Sequence, residues 1–528
     1  MAGEDATSPP PLKKQRTEEG EITRHATLTS RLLESAPNEL LRLKEPDISE
    51  CQYCPRCFLR LAGIEDVGFY LMEEEESRLA LSRPLLSSPC TLCLGILSSF
   101  DTIVEKIQTH WNSEKYDLNP DTSLGLTVSL PQGTLVRSHA ANIYFSRLSK
   151  ENGWRFNRRD VVDLKEIVRQ CIGQKLKDVL GVGLDLQGGA LKLMLEFEHQ
   201  ETQSDHMFLA EIEGGGISVR KVREKGKEKI VGDSRQNIVA ALSKLPDSEF
   251  IKSVPFPPKP ITTTSLLRQI KFKHDSIFLG GRYLKYSRTV SQTPWAPDGV
   301  RLTETSVSEI IGDHLKEAYR ADEYKFVSAG REDANVRMLG SGRPFYMEII
   351  NPRQIRQQEN TASLADKINA AHPDLVGVRD FTRIGASDVT EMKEGEENKS
   401  KTYSALVWSS HPVTAPQLEK LEQKYSTGFV VDQRTPLRVL QRRAPLVRPK
   451  RIHALQFKTT ENPHYFIARF KTEAGTYIKE LVHGDLGRTR PNIAEMIGEA
   501  CDRPGECEAD LIELDVVEVD LEWPPKRP

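Results

Sequence analysis

Three short stretches of this chain hold residues fit for chemistry. Ser328 to Pro344 reads SAGREDANVRMLGSGRP and packs Arg331, Glu332 and Asp333 together with Arg337, Arg343 and three Gly. Such a run suits neither a regular helix nor a continuous central strand, so a loop is expected. It would hold Asp333 between Arg331 and Arg337. A carboxylate kept ionised by flanking guanidiniums is what a carboxylate nucleophile needs. The same residues would also make an ordinary surface ion-pair turn. The second stretch is KTYSALVW, Lys401 to Trp408, where Tyr403, Ala405 and Val407 alternate as in a half-buried strand. The third is GTYIKELVHGDLGRTRPN, Gly475 to Asn492. Its His483 and Asp485 suit a dyad, or the capping and packing of the turn that follows.

Cysteine spacing marks a different chemistry. Cys51, Cys54 and Cys57 form overlapping C-x-x-C pairs, and Cys90 and Cys93 form another in PCTLC. Two such knuckles suit tetrahedral zinc held by four thiolates. That set leaves no open position, so the zinc would be structural. Buried or free thiols are the other reading. Eight Cys in a chain without the apolar core of a signal peptide point to a reducing compartment, not to a disulfide framework. Cys171 falls on an apolar helix face, and no role is assigned to Cys501 or Cys507, which flank DRPGE.

Positive charge is clustered although the formal net charge is −3. From Arg434 to Lys458 there are eight Lys or Arg and no acid, among them Arg438, Arg442, Arg443, Arg448, Lys450 and Arg451. Such a stripe suits phosphate contacts, or a solvated face. GRYLKYSR interleaves Arg282, Lys285 and Arg288 with Tyr283 and Tyr286. That pattern fits a loop that grips folded RNA by stacking and phosphate contact, or a strand with one basic face.

The motifs GRED, KTYSAL, and GTYIK with HGDLGR, in that order, resemble the pseudouridine synthases. The nearest resemblance is to the archaeal and eukaryotic tRNA pseudouridine synthase family that makes the adjacent pseudouridines 54 and 55 of the tRNA T-loop. It spans Ile261 to about Pro525, with a weaker match through the Cys-rich and middle regions. The resemblance implies a cofactor-free isomerase that breaks the glycosidic C–N bond and makes a C–C bond at the same base. Asp333 would be the catalytic carboxylate, attacking either ribose C1′ or the base. Lys479 would supply the cation beside it. Tyr403 would stack on a flipped-out uracil, and its hydroxyl could help remove the C5 proton. Leu514 in LIELDV would pack under the base, or serve as core. Arg343 would lie near the substrate backbone, and Arg282, Tyr286, Arg331, Arg442 and Arg443 would contact RNA. CPRC looks like the family's first knuckle, which selects Cys54, Cys57, Cys90 and Cys93 as zinc ligands and leaves Cys51 spare. The partner implied is tRNA through its T-arm; no organic cofactor, membrane or protein partner is called for.

These residues must be carried by an α/β (α+β) chain of several domains. At 528 residues with 38% hydrophobic content, two or three packed domains are expected. No run of 18 apolar residues exists. Residues 1–39 are expected to be a disordered tail. Its PPPLKKQR suits a nuclear-import signal or a solvated stretch, giving a nuclear or cytoplasmic location. Residues 40–254 would form a zinc-containing accessory domain, THUMP-like and RNA-binding by resemblance. Within it, Phe100 to Trp111 and an Asp160-capped segment through Leu176 read as helices. Leu191 to Phe197 and Phe208 to Ile212 read as strands. Pro255 to Pro260 would be a stiff linker, and 261–528 the mixed-sheet catalytic domain with a loop at Glu391 to Lys401. A non-catalytic RNA-binding protein on this fold is the main rival. A methyltransferase is disfavoured because GVGLDLQGG and LGGRY lack the cofactor-loop spacing.

Overall fold

The computed structural model describes residues 18–37, 39–42, 51–83, 86, 88–185, 188–212, 217, 220–224, 227–231, 233–355 and 360–525. PPPLKKQR lies outside them. Two compact units divide between Lys273 and His274, with residues Tyr116–Asn119 belonging to the second. No described helix is long and apolar enough to cross a membrane.

The first unit is α/β. The strands Ser123–Ser129 and Leu191–Glu198 run parallel, and Leu191, Leu193, Leu195 and Phe197 point inward as their alternation requires. The helices Phe100–Glu114 and Leu164–Leu180 bear out the two helical segments. Four other expectations are corrected. Asp163, not Asp160, caps the second helix, because its side chain accepts from the Lys165 and Glu166 amides. Phe208 to Ile212 is no strand: Met207–Ala210 is a 3-10 turn whose Leu209 and Phe208 join a cluster with Val136, Ile238 and Phe250. A short apolar run cannot by periodicity separate the two. Within the expected tail, Glu18–Ser35 is helical, with Leu32 buried and Thr29 Oγ1 donating to the Ala80 carbonyl at 2.9 Å. Lastly, the Pro-rich segment is not the boundary. Arg137 Nη1 holds the Lys259 carbonyl at 2.8 Å, and the strand Leu266–His274 joins the sheet of Leu191–Glu198.

The second unit is built on a ten-stranded mixed sheet. Its central strands are Ile277–Lys285, Arg337–Ile350, Ala509–Val519, Lys401–Ser409 and Tyr465–Thr472, in that spatial order. Arg337–Ile350 and Ala509–Val519 run parallel, with Asp515 opposite Arg337 and Val516 opposite Met338; the other neighbouring pairs among these five strands are antiparallel. Antiparallel neighbours can be joined by a short turn, whereas this parallel joint unites distant stretches of sequence. It brings the SAGREDA loop, which ends at Val336, beside Leu514 and Val516. Ala405 and Val407, Phe466, Ala468 and Phe470, and Leu514 and Val516 bury one face of the sheet against Leu481, Val482, Ile493 and Ile497. The expected loop at Glu391 to Lys401 is instead largely the helix Ala386–Asn398. Val389 and Met392 dock it onto Ile384 and Trp523, and Asp388 accepts from the Gly385 amide at 2.7 Å.

Candidate active site

The loop between strands Glu323–Ser328 and Arg337–Ile350 is held almost atom by atom. Gln292 Nε2 reaches the Gly330 carbonyl at 2.8 Å, Arg343 Nη1 the Ala329 carbonyl at 2.9 Å, and Lys285 Nζ the Ala334 carbonyl at 2.8 Å. Arg288 Nη1 donates to the Asn335 carbonyl at 3.0 Å. Gly330 sits at φ +100°, and a Cβ there would meet Arg343 Nη1 at 2.5 Å, so only glycine fits. Glu332 then points inward, its side chain 1% exposed, while that of Asp333 points outward at 56%.

Asp333 faces a cleft of about 550 Å³. Lys479 Nζ lies 3.1 Å from Asp333 Oδ2. Lys479 stands at the start of the helix Ile478–His483. Buried Gln433 fixes that start by exchanging two hydrogen bonds of 2.9 Å with the Tyr477 backbone. Tyr403 lines the same cleft from its strand, and burial pushes its phenol above the ordinary range. Leu514 belongs to the core and also lines the cleft. The cleft's rim carries exposed Arg331 and Arg443, the latter donating to the Tyr477 hydroxyl at 2.8 Å.

Other predicted cations have structural employment. Arg337 does not flank Asp333; it pairs with Asp515 at 2.6 Å, because the parallel joint sets the two opposite each other. Arg343 lines the cleft but is 2% exposed and pairs with Glu332 at 2.8 Å. Burial opposes its charge, and Glu332 more than offsets that, so it stays a cation. Arg282 is corrected from RNA contact to scaffold: its guanidinium is spent on the carbonyls of Ser341, Gly342, Val519, Leu521 and Trp523. Tyr286 packs against Gly377 away from the cleft, and Arg442 is exposed but does not line it. The acid-free run is partly neutralised by acids from the neighbouring segment, Glu480 on Arg438 at 2.8 Å and Glu473 on Lys450 at 2.9 Å. His483 and Asp485 brace a turn: the Asp485 amide donates to His483 Nδ1 at 3.0 Å, and Asp485 Oδ2 accepts from the Leu437 amide at 3.3 Å.

In the first unit, Cys54, Cys57, Cys90 and Cys93 are buried with their sulfurs all within 4.8 Å of one another. Cys54 Sγ and Cys93 Sγ are 3.8 Å apart. That is the edge of a tetrahedron with metal–sulfur bonds of about 2.3 Å. The Cys54 amide already points at Cys90 Sγ at 3.2 Å, a bond that favours a thiolate. The residues therefore fit a metal ion, and Cys51 stands outside the group.

The mixed sheet thus presents an exposed carboxylate to a lysine in a cleft that a tyrosine also lines, and the relatives of this chain are pseudouridine synthases. Residues 278–520 match the family model described as Pus10, C-terminal, and residues 90–272 match Eukaryotic Pus10, N-terminal. The chain belongs to the Pus10 family. Similar proteins include the tRNA pseudouridine synthase Pus10 of Xenopus laevis, 38% identical over 83% of this chain and 81% of that one. Those of Mus musculus and Homo sapiens are 36% and 35% identical over 92% of this chain and 91% of theirs.

Proposed function

We propose that this protein isomerises uridine to pseudouridine at positions 54 and 55 in the T-loop of tRNA, with Asp333 as the nucleophile. The observation that carries the reading is the Asp333–Lys479 pair, 3.1 Å apart in a cleft walled by Tyr403 and Leu514. A uridine within a folded loop must leave its stack to reach that cleft. Asp333 attacks the nucleoside and the N1–C1′ bond breaks. The freed uracil, held between Tyr403 and Leu514, turns to present C5 to C1′. A C–C bond forms between C5 and C1′ as the bond to Asp333 breaks, the C5 proton moves to solvent or through the Tyr403 hydroxyl, and N1 takes up one proton in its place. The product has the same composition as the uridine, so no co-reactant is required. Lys479 holds the carboxylate in place before attack and receives it when it leaves. Arg331 and Arg443 on the rim suit the flanking phosphates. The first unit, folded around a four-cysteine zinc site, gives the tRNA a second docking surface.

Pseudouridine mapping on an unmodified tRNA transcript, wild type beside Asp333→Ala, tests this. A T-loop signal from wild type alone is expected. No signal from either protein, with tRNA still bound, would favour the binding-protein reading.

A further inference from the structure

The two carboxylates that line the cleft, Glu332 and Asp333, each pair with a cation that also lines it, Arg343 or Lys479. They could pair in two ways. In the observed arrangement Arg343 Nε binds Glu332 at 2.8 Å and Lys479 binds Asp333 at 3.1 Å. Nothing in the chemistry above uses Glu332, yet it is the more elaborately held of the two acids. Tyr283 Oη donates to it at 2.8 and 2.9 Å, and Gln292 Nε2 in turn supports Tyr283 Oη at 2.7 Å. All of this is buried, whereas Asp333 one residue later is largely in solvent.

We infer that Glu332 is a positioning residue: by engaging Arg343 it keeps that guanidinium off Asp333 and turns Asp333 toward the substrate. This rests on Asp333 being the nucleophile. An arginine fork binds a carboxylate through both oxygens and would occupy the lone pairs that attack requires. Arg343 is already at the cleft wall, and its Nη1 passes directly beneath Gly330. A buried guanidinium deprived of its counter-ion must find another, and the next carboxylate along the chain is Asp333. Lysine leaves Asp333 freer, because its point charge makes one contact and the attacking oxygen stays open.

The test is kcat and KM on a tRNA transcript for Glu332→Gln, Arg343→Met, the double variant, Tyr283→Phe and Asp333→Asn. Glu332→Gln should lower kcat by about 100-fold while KM stays within about threefold. Adding Arg343→Met should then recover kcat by about tenfold, since the competing cation is gone. A purely structural Glu332 predicts the opposite, a second loss on top of the first. A double variant no better than Glu332→Gln would overturn the inference, as would a wild-type kcat in Glu332→Gln. If Glu332→Gln fails to fold, Tyr283→Phe replaces it; a fall in kcat at unchanged KM supports the role, and an unchanged kcat overturns it. Activity surviving in Asp333→Asn would overturn the nucleophile reading itself, which the other variants leave standing.

Discussion

Asp333 and Lys479 are 146 residues apart in the chain, and their side chains meet at 3.1 Å. The contact joins a loop held by the sheet's single described parallel joint to a helix start held by Gln433. Neither side chain is deeply buried, at 56% and 28% exposure. Such a pair adds little to stability, so its place at a cleft argues for chemistry.

Lys479→Met should therefore lower kcat by about 100-fold while leaving the melting temperature nearly unchanged. Lys479→Arg should restore part of the loss, since charge returns but the fork fits differently. Single-turnover pseudouridine formation beside a thermal melt separates the two effects. A full-rate Lys479→Met protein would remove the cation from the mechanism.

Arg282 gives the converse case. Its guanidinium satisfies five backbone carbonyls around the C-terminal strand and Gly342. Arg282→Met strands those acceptors and should cost roughly 3 kcal/mol or more. Urea denaturation should show the loss, while tRNA affinity of the folded fraction stays at the wild-type value. A drop in affinity with unchanged stability would return Arg282 to the RNA interface.

Why the sequence reveals Asp333 but conceals Arg282 is a matter of where information lies. Asp333, Tyr403 and Lys479 each sit in a motif whose neighbours are as informative as the residue, and all three converge on one cleft. A guanidinium reads alike whether it meets phosphate or five carbonyls, because its partners come from Ser341 to Trp523. The acid-free stretch is less bare than it reads for the same reason: Glu473 and Glu480 fold back onto Lys450 and Arg438 from outside the window. Glu332 left only one sign, a second acid in a loop where successive residues turn in and out. The helix Ala386–Asn398 was hidden because two apolar residues, Val389 and Met392, suffice to dock it.

The four-cysteine group yields a composition test. Purified protein should carry one zinc per chain, and Cys90→Ser should lose it, whereas Cys51→Ser should keep it. A structural zinc supplies on the order of 10 kcal/mol to folding, so chelation should melt the first unit cooperatively. Metal analysis with circular dichroism reads both. A Cys51→Ser protein without metal would show the ligand set to be misassigned.

Lys285 makes stability depend on alkaline pH in an uncommon direction. Its side chain is fully buried, donates to the Ser287 and Ala334 carbonyls, and burial lowers its pKa from 10.5 to about 8. Below about pH 8 both folded and unfolded chains carry the proton, and the full penalty of burying the charge is present. Between about 8 and 10.5 the folded protein has released a proton that the unfolded chain still holds. Unfolding then takes up a proton, so this group's contribution to stability rises with pH, by up to about 1.4 kcal/mol per unit. Lys285→Met removes that term. Urea midpoints of wild type and variant from pH 7.5 to 9.5 should therefore diverge, wild type gaining on the variant as pH rises. A constant difference across the range would mean that Lys285 keeps its proton, with Ser287 and Ala334 solvating the ammonium as well as water does. The carbonyl it holds belongs to the residue after Asp333, so the same titration should leave the loop tethered: a neutral amine still has two protons to donate to its two acceptors.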